Sequence, residues 1–144
     1  MSRLLVVFAL ALALPALAGC APPPRDPAVV AYEALFTALV RGDAARTLEL
    51  LGPRSRAALA AGVGLDAQAT LEAIGEHLAV RPGWAFTVDQ AHRARLATEA
   101  ADGPRRVVIG ALADRTWAIP VVEVDGDWRV ELLDATSYEA APRG

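Results

Sequence analysis

The spacing of apolar residues changes once along this chain, at Arg81-Pro82-Gly83, and that change limits the fold more than any other feature. Before it, apolar residues recur every three or four positions, as on one face of a helix; after it they alternate, as on one face of a strand. A run of helices followed by a run of strands predicts an α+β domain, because no helical pattern is left to cross between parallel strands.

Asp26-Pro27 opens the first helix: the aspartate accepts from a free amide at the helix start, and proline at the first helical position lacks only a proton that had no partner there. Val29, Tyr32, Phe36, Leu39 and Val40, widened by Leu35, predict the buried stripe, and Gly42 the stop. Asp43 caps a second helix carrying Leu48, Leu50 and Leu51 up to Gly52-Pro53. Residues 54–61 make a short third helix ending at Gly62. Asp66 caps a fourth, in which Ala67, Leu71, Ile74 and Leu78 keep helical spacing.

Residues 84–100 read as one long, bent strand. Trp84, Phe86 and Val88 share one face and Ala85, Thr87 and Asp89 the other; further on, His92, Ala94 and Leu96 stand opposite Arg93 and Arg95. Asp102-Gly103-Pro104 turns the chain into a second strand over 105–113, with Val107, Ile109 and Ala111 on one side, and Asp114-Arg115 leads into a third containing Trp117, Ile119 and Val121. Asp125-Gly126 is the sharpest hairpin signal, and a two-residue turn there pairs Val121 with Val130 and Ile119 with Leu132, with Trp128 opposite Glu123. Pro120 has no amide proton, so its side of the third strand should meet an edge or a bulge. The expected fold is α+β: N-terminal helices packed on a curved four-stranded antiparallel sheet, in one domain over 26–136 with a tail over 137–144.

Tyr32-Glu33-Ala34-Leu35-Phe36-Thr37-Ala38-Leu39-Val40-Arg41-Gly42-Asp43, leading to residues 48–53, resembles the helical opening of the nuclear transport factor 2-like superfamily, where a pair similar to Gly42-Asp43 separates the first two helices. Residues 121–130 are similar to the closing hairpin of that superfamily's small secreted and lipoprotein members. The resemblance covers about residues 27–134 and implies a cone, the sheet curling around helices to form a pocket. Tyr32, His92, Trp84, Trp117 and Trp128 are the residues expected to line it. The stretch from Gly62 to Asp66 departs from the family, which often has short strands there.

Ahead of the domain, Arg3 precedes an unbroken apolar run from Leu4 to Leu14, then Pro15 and small residues up to Leu17-Ala18-Gly19-Cys20. A run of eleven is too short for roughly 30 Å of hydrocarbon, which takes about 20 residues, so the layout predicts a cleaved signal peptide. Leu-Ala-Gly-Cys resembles the lipobox of bacterial lipoproteins. That resemblance implies cleavage between Gly19 and Cys20, a diacylglyceryl group on the Cys20 thiol and an acyl chain on its new amino group; several chains anchor firmly where one binds only marginally. The chain then divides into a leader over 1–19 and a lipidated cysteine with a proline-rich tether over 20–25. Ala21, where an aspartate would commonly signal retention at the inner membrane, points to the outer membrane, with the domain in the periplasm. Pro22-Pro23-Pro24 favours an extended, stiff tether.

All 14 basic residues are arginines, set against 17 acids for a net charge of −3, which argues against a nucleic-acid binder. Loss of Arg3 with the leader makes the mature chain still more negative, so the acyl chains, not the domain's charge, would hold it at the membrane. One cysteine excludes an internal disulfide and a cysteine-cluster metal site, and His77 and His92 alone build no histidine site. No cofactor or metal is expected.

Members of the superfamily include isomerases, dehydratases and hydrolases that use the cone's cavity, which makes Tyr32 and His92 the candidates for proton transfer. Against this, a single histidine on an apolar face ordinarily serves as hydrogen-bonded structure, a core tyrosine fills space, and Asp89 has the wrong parity to supply an inward carboxylate. Gly62-Val63-Gly64-Leu65-Asp66-Ala67 matches a dinucleotide fingerprint only formally, since no strand precedes it. Glu76-His77 has no second histidine four residues on, and Ser2, Ser55 and Ser137 lie in no nucleophile elbow. Arg93, Arg95, Arg105 and Arg106 form a basic strip if the turn at Asp102-Gly103 brings the two pairs together, although balance by Asp89, Glu99 and Asp102 favours an ordinary solvated face. The expected function is a non-enzymatic lipoprotein whose domain binds a periplasmic protein or small ligand, in the concavity or on the outer face. Alternatives are a small cone-fold enzyme using Tyr32 and His92, or a structural accessory subunit of an envelope complex. Superfamily members often pair through their sheets, which makes a homodimer the oligomer to expect.

Overall fold

The computed structural model describes residues 19, 21–62, 66–80, 86–101 and 103–133, residue 80 by its backbone alone. Cys20, Trp84 and the tail beyond residue 133 lie outside the described residues, as do residues 63–65, where the family's short strands were sought. Five helices, α1 (Pro27–Arg41), α2 (Ala44–Leu50), α3 (Pro53–Gly62), α4 (Ala67–Val80) and α5 (Val88–Arg93), pack against four strands, β1 (Arg95–Ala100), β2 (Arg105–Leu112), β3 (Arg115–Val124) and β4 (Asp127–Val130). The strands form one open antiparallel sheet in chain order, the α+β architecture that the periodicity predicts.

α1 is the central helix and touches all four strands as well as α2 and α5. Asp26 caps it by accepting from the Ala28 amide at 2.9 Å. At its far end Gly42 takes the left-handed conformation, and the amides of Gly42 and Asp43 bond back to Leu39 and Ala38, closing a Schellman turn. Asp43 then caps α2 through the Arg46 amide at 3.0 Å, so the Gly42-Asp43 pair ends one helix and starts the next. The buried face of α1 is Ala28, Ala31, Tyr32, Leu35, Phe36, Ala38 and Leu39. Val29 is only half-buried and Val40 is 49% exposed, which corrects the expected stripe. Val40 lies about 40° further round the helix than Phe36, and alanines occupy the face instead, allowing close approach to the sheet.

Over its described residues, 86–100, the expected strand is instead a helix followed by a shorter strand. Residues 88–93 form α5, opened by a capping box: the Thr87 hydroxyl accepts from the Gln90 amide at 3.2 Å, and the Gln90 side chain accepts from the Thr87 amide at 2.9 Å. Only Arg95–Ala100 is strand.

The closing hairpin turns through Asp125 and Gly126, both at positive φ, and pairs Val121 with Val130 and Glu123 with Trp128 in the predicted register. Ile119 and Leu132 are both buried, but they do not pair within a ladder, because β4 ends at Val130. One further bond, from the Glu131 amide to the Pro120 carbonyl at 2.9 Å, continues the register. The chain then turns away, and the Leu133 amide donates to the Ser55 hydroxyl at 3.0 Å. Pro120 therefore directs its missing donor to the side where the ladder runs out. Val108, Trp117, Ile119, Val121 and Val130 face the helices, while Val107, Ile109, Pro120 and Val122 lie on the opposite face of the sheet.

Candidate functional site

The space between α1 and the sheet is occupied by aromatic side chains. Gly110 on β2 stands opposite Trp117 on β3, and a Cβ at residue 110 would sit 2.3 Å from the indole nitrogen, so glycine is what lets the ring lie across the strand. The indole stacks on Phe86 with ring centroids 4.4 Å apart and donates its N–H to the Tyr32 hydroxyl at 3.0 Å. Tyr32 in turn donates to the Ala91 carbonyl at 3.1 Å, and its ring lies 4.5 Å from that of Phe36. Burial pushes the Tyr32 phenol far above its ordinary value, with the Trp117 N–H pulling it only partly back. It therefore stays neutral at physiological pH and holds α1 to α5 and β3.

Of the five expected pocket residues, the structure brings Tyr32 and Trp117 together and does not join His92 or Trp128 to them; Trp84 lies outside the described residues. His92 is exposed on α5. The expectation of inward orientation assumed strand parity, whereas on a helix the neighbouring residue Ala91 takes the buried position and His92 turns about 100° away. Among the described residues the Tyr32 hydroxyl is bonded to the Ala91 carbonyl and the Trp117 N–H, not to His92.

Trp128 sits half-buried at another point of the sheet, under the guanidinium of Arg106, whose carbon is 5.6 Å from the ring centroid. Arg106 is also paired with Asp26, which accepts in addition from the Thr98 hydroxyl at 3.0 Å. This group fastens the cap residue of α1 to β1, β2 and β4. Burial alone would push the Asp26 carboxyl up, but the Ala28 amide, the Thr98 hydroxyl and the Arg106 guanidinium together hold it below the ordinary aspartate value. A depressed folded value means that its stabilisation is complete above about pH 4 and is lost as pH falls through the folded value. Asp26→Asn keeps a good helix cap and loses the ion pair, so it is expected to cost about 1 kcal/mol at pH 7. The gap between variant and wild type in urea unfolding should narrow as the pH is taken down through the folded value; a gap that stays constant would contradict this role.

The four arginines weighed as a basic strip do not come together. The β1–β2 ladder runs from Arg95 opposite Ala111 to Ala100 opposite Arg106, which puts Arg95 and the Arg105-Arg106 pair at opposite ends of an antiparallel hairpin. Arg93 is taken up by Asp89 at 2.6 Å and Arg106 by Asp26.

Arg105 instead borders a cleft of about 140 Å³ lined by Arg54, Arg105, Pro120, Val121, Val122, Glu131 and Leu133. Glu131 is fixed there by the first turn of α3: its carboxylate accepts from the Arg54 amide at 3.2 Å, the Ser55 amide at 2.8 Å and the Ser55 hydroxyl at 2.9 Å. A negative group at a helix start satisfies amides that have no partner within the helix. Gly52 permits the approach, since a Cβ at that position would lie 2.3 Å from the Glu131 carboxylate. Sequence reasoning did not single out Arg54 or Glu131. Ser55 and Glu131 are 76 positions apart and neither carries a local motif, so no signal in the chain announces their contact. Two shallower grooves, of about 370 and 350 Å³, run along α1 and share Val30, Ala34 and Arg46.

The described residues contain no group of three or more histidine, cysteine, aspartate or glutamate side chains able to hold a metal ion, and no described helix is long and apolar enough to cross a membrane. No family model, no curated protein and no solved structure matches this chain.

Proposed function

We propose that the chain is a bacterial envelope lipoprotein. A leader ends at Gly19, Cys20 carries the lipid, and a proline tether joins it to an α+β domain of the nuclear transport factor 2-like kind at the periplasmic side of the outer membrane. The domain binds a partner protein, a second copy of the chain included, or a small ligand, and acts through its surface. The anchor is supported by the apolar run from Leu4 to Leu14 and by Leu17-Ala18-Gly19-Cys20. The absence of a membrane-crossing helix among the described residues is compatible with attachment by lipid.

The observation that carries the surface reading is the Tyr32–Trp117–Phe86 cluster. The hydroxyl that a cavity enzyme would use for proton transfer is engaged by a donor and an acceptor of the protein itself, and the histidine expected beside it faces out. Cys20→Ser tests the anchor in membrane fractions of cells producing the full chain. The variant is expected to accumulate as an unlipidated, unprocessed precursor, whereas normal processing of it would mean that an ordinary signal peptidase handles the leader.

A further inference from the structure

We propose that the cleft between the start of α3 and the β2–β3 strands is a binding site for a carboxylate carried on a short apolar group. The inference deepens the surface-binding reading and rests on it.

Arg54 at the start of α3 and Arg105 at the start of β2 line this cleft from two different elements, and neither side chain has an ion-pair or hydrogen-bond partner among the described residues. By contrast, Arg25, Arg46, Arg93, Arg106 and Arg129 each hold a carboxylate. One carboxylate, that of Glu131, lies in the same cleft, but both of its oxygens are already bonded by the first turn of α3. Two cations thus converge on a cleft whose acid is turned to another task. Guanidinium groups offer paired donors that fit a carboxylate, and two of them outweigh repulsion by a Glu131 charge already offset by helix amides.

The remaining lining selects what the carboxylate is attached to. Pro120, Val121, Val122 and Leu133 make the floor mainly apolar. At about 30 Å³ per water-sized volume, a cleft of about 140 Å³ accepts a group of roughly four or five non-hydrogen atoms. A branched side chain of leucine size fits this description, whereas a naked inorganic anion would leave the floor uncovered. The cleft is there because β4 stops at Val130 and, after one further bond from Glu131 to Pro120, the chain turns towards Ser55. Two sources share the chemistry: the terminal residue of a peptide and a free branched-chain acid.

The test is a ligand-observed NMR titration of the full chain in detergent micelles with N-acetyl-leucine, 4-methylpentanoate and N-acetyl-leucinamide. Both acids are expected to bind and the amide to bind at least about tenfold more weakly, since it keeps the apolar group and lacks the charge. Tighter binding of N-acetyl-leucine assigns the site to peptide C-termini, and tighter binding of 4-methylpentanoate to free acids; either order supports it. Arg54→Gln with Arg105→Gln should abolish the preference for acid over amide. Val122→Asp, which adds a second carboxylate to the cleft, should abolish acid binding with both arginines in place. Equal binding of acid and amide, an unchanged preference in the double variant with native circular dichroism, or no binding of either acid by the wild type would overturn the site. Failure here would leave processing at Cys20 unaffected, and failure of the anchor would leave the acid preference measurable, so the two readings fall separately.

Discussion

Trp117→Ala is expected to lower the free energy of unfolding by about 3–5 kcal/mol, a large part of the roughly 5–15 kcal/mol that holds a domain of this size together. The indole fills the gap left by the missing side chain of Gly110, stacks on Phe86 and donates to the Tyr32 hydroxyl. Removing it leaves a cavity beneath α1 that residue 110 has no Cβ to fill. With a urea dependence of about 1–3 kcal/mol per molar, the midpoint should fall by about 2 M. Trp117→Phe keeps an aromatic ring against Phe86 and loses the N–H with part of the ring volume, so a smaller cost of about 1–2 kcal/mol is expected. Gly110→Ala attacks the same contact from β2 and should also destabilise. A loss below about 1 kcal/mol for Trp117→Ala would show that the aromatic cluster does not support the interior.

Glu131→Ala is expected to cost about 3 kcal/mol, because it removes a charged acceptor from two backbone amides that have no other, and leaves the Ser55 hydroxyl with only the Leu133 carbonyl at 3.2 Å. The effect should concentrate where α3 meets the end of β4. There Leu51 bridges Val130, the Gly52 amide donates to the Val130 carbonyl at 2.9 Å, and Ser55 receives the Leu133 amide. Hydrogen exchange at Arg54 and Ser55 should speed up in the variant more than exchange in α1. Glu131→Gln keeps an amide oxygen as acceptor and should recover part of the loss. Equal stability of Glu131→Ala and wild type, or uniform acceleration of exchange, would contradict the placement of this carboxylate as the cap of α3.

The parts of the fold legible in the sequence are those decided by neighbouring residues. Asp26-Pro27 starts α1, Gly42-Asp43 separates α1 from α2, and Asp125-Gly126 sets the register of the last hairpin, each through backbone chemistry contained within a few positions. Residues 88–93 are helix although their side of the alternation predicts strand, because two or three alternating positions do not fix the period. Thr87-Val88-Asp89-Gln90 carried the opposing signal, a capping box that outweighs alternation once both reciprocal bonds form. That error carried over to His92, whose orientation follows from the element type. The buried alanines of α1 were passed over for a different reason: small residues give a weak hydropathy signal, although they set how near the helix approaches the sheet.

The candidate cleft was not legible at all. Arg105 had been noticed as one member of a basic strip, but its actual setting depends on where β4 stops and on which residue caps α3. Tyr32 with Ala91, Ser55 with Glu131 and Asp26 with Arg106 are contacts between residues separated by 59, 76 and 80 positions. Each involves a polar pair that either partner would tolerate losing to solvent in an isolated segment. Only tertiary packing makes such contacts obligatory, since a buried polar group without a partner costs about 1–3 kcal/mol.

The proposed lipid anchor is tested most directly by the intact mass of the mature protein extracted from membranes. The expected mass is that of residues 20–144 with a diacylglyceryl group and an amide-linked acyl chain on Cys20. A chain that begins elsewhere, or that begins at Cys20 with an unmodified thiol, would contradict it.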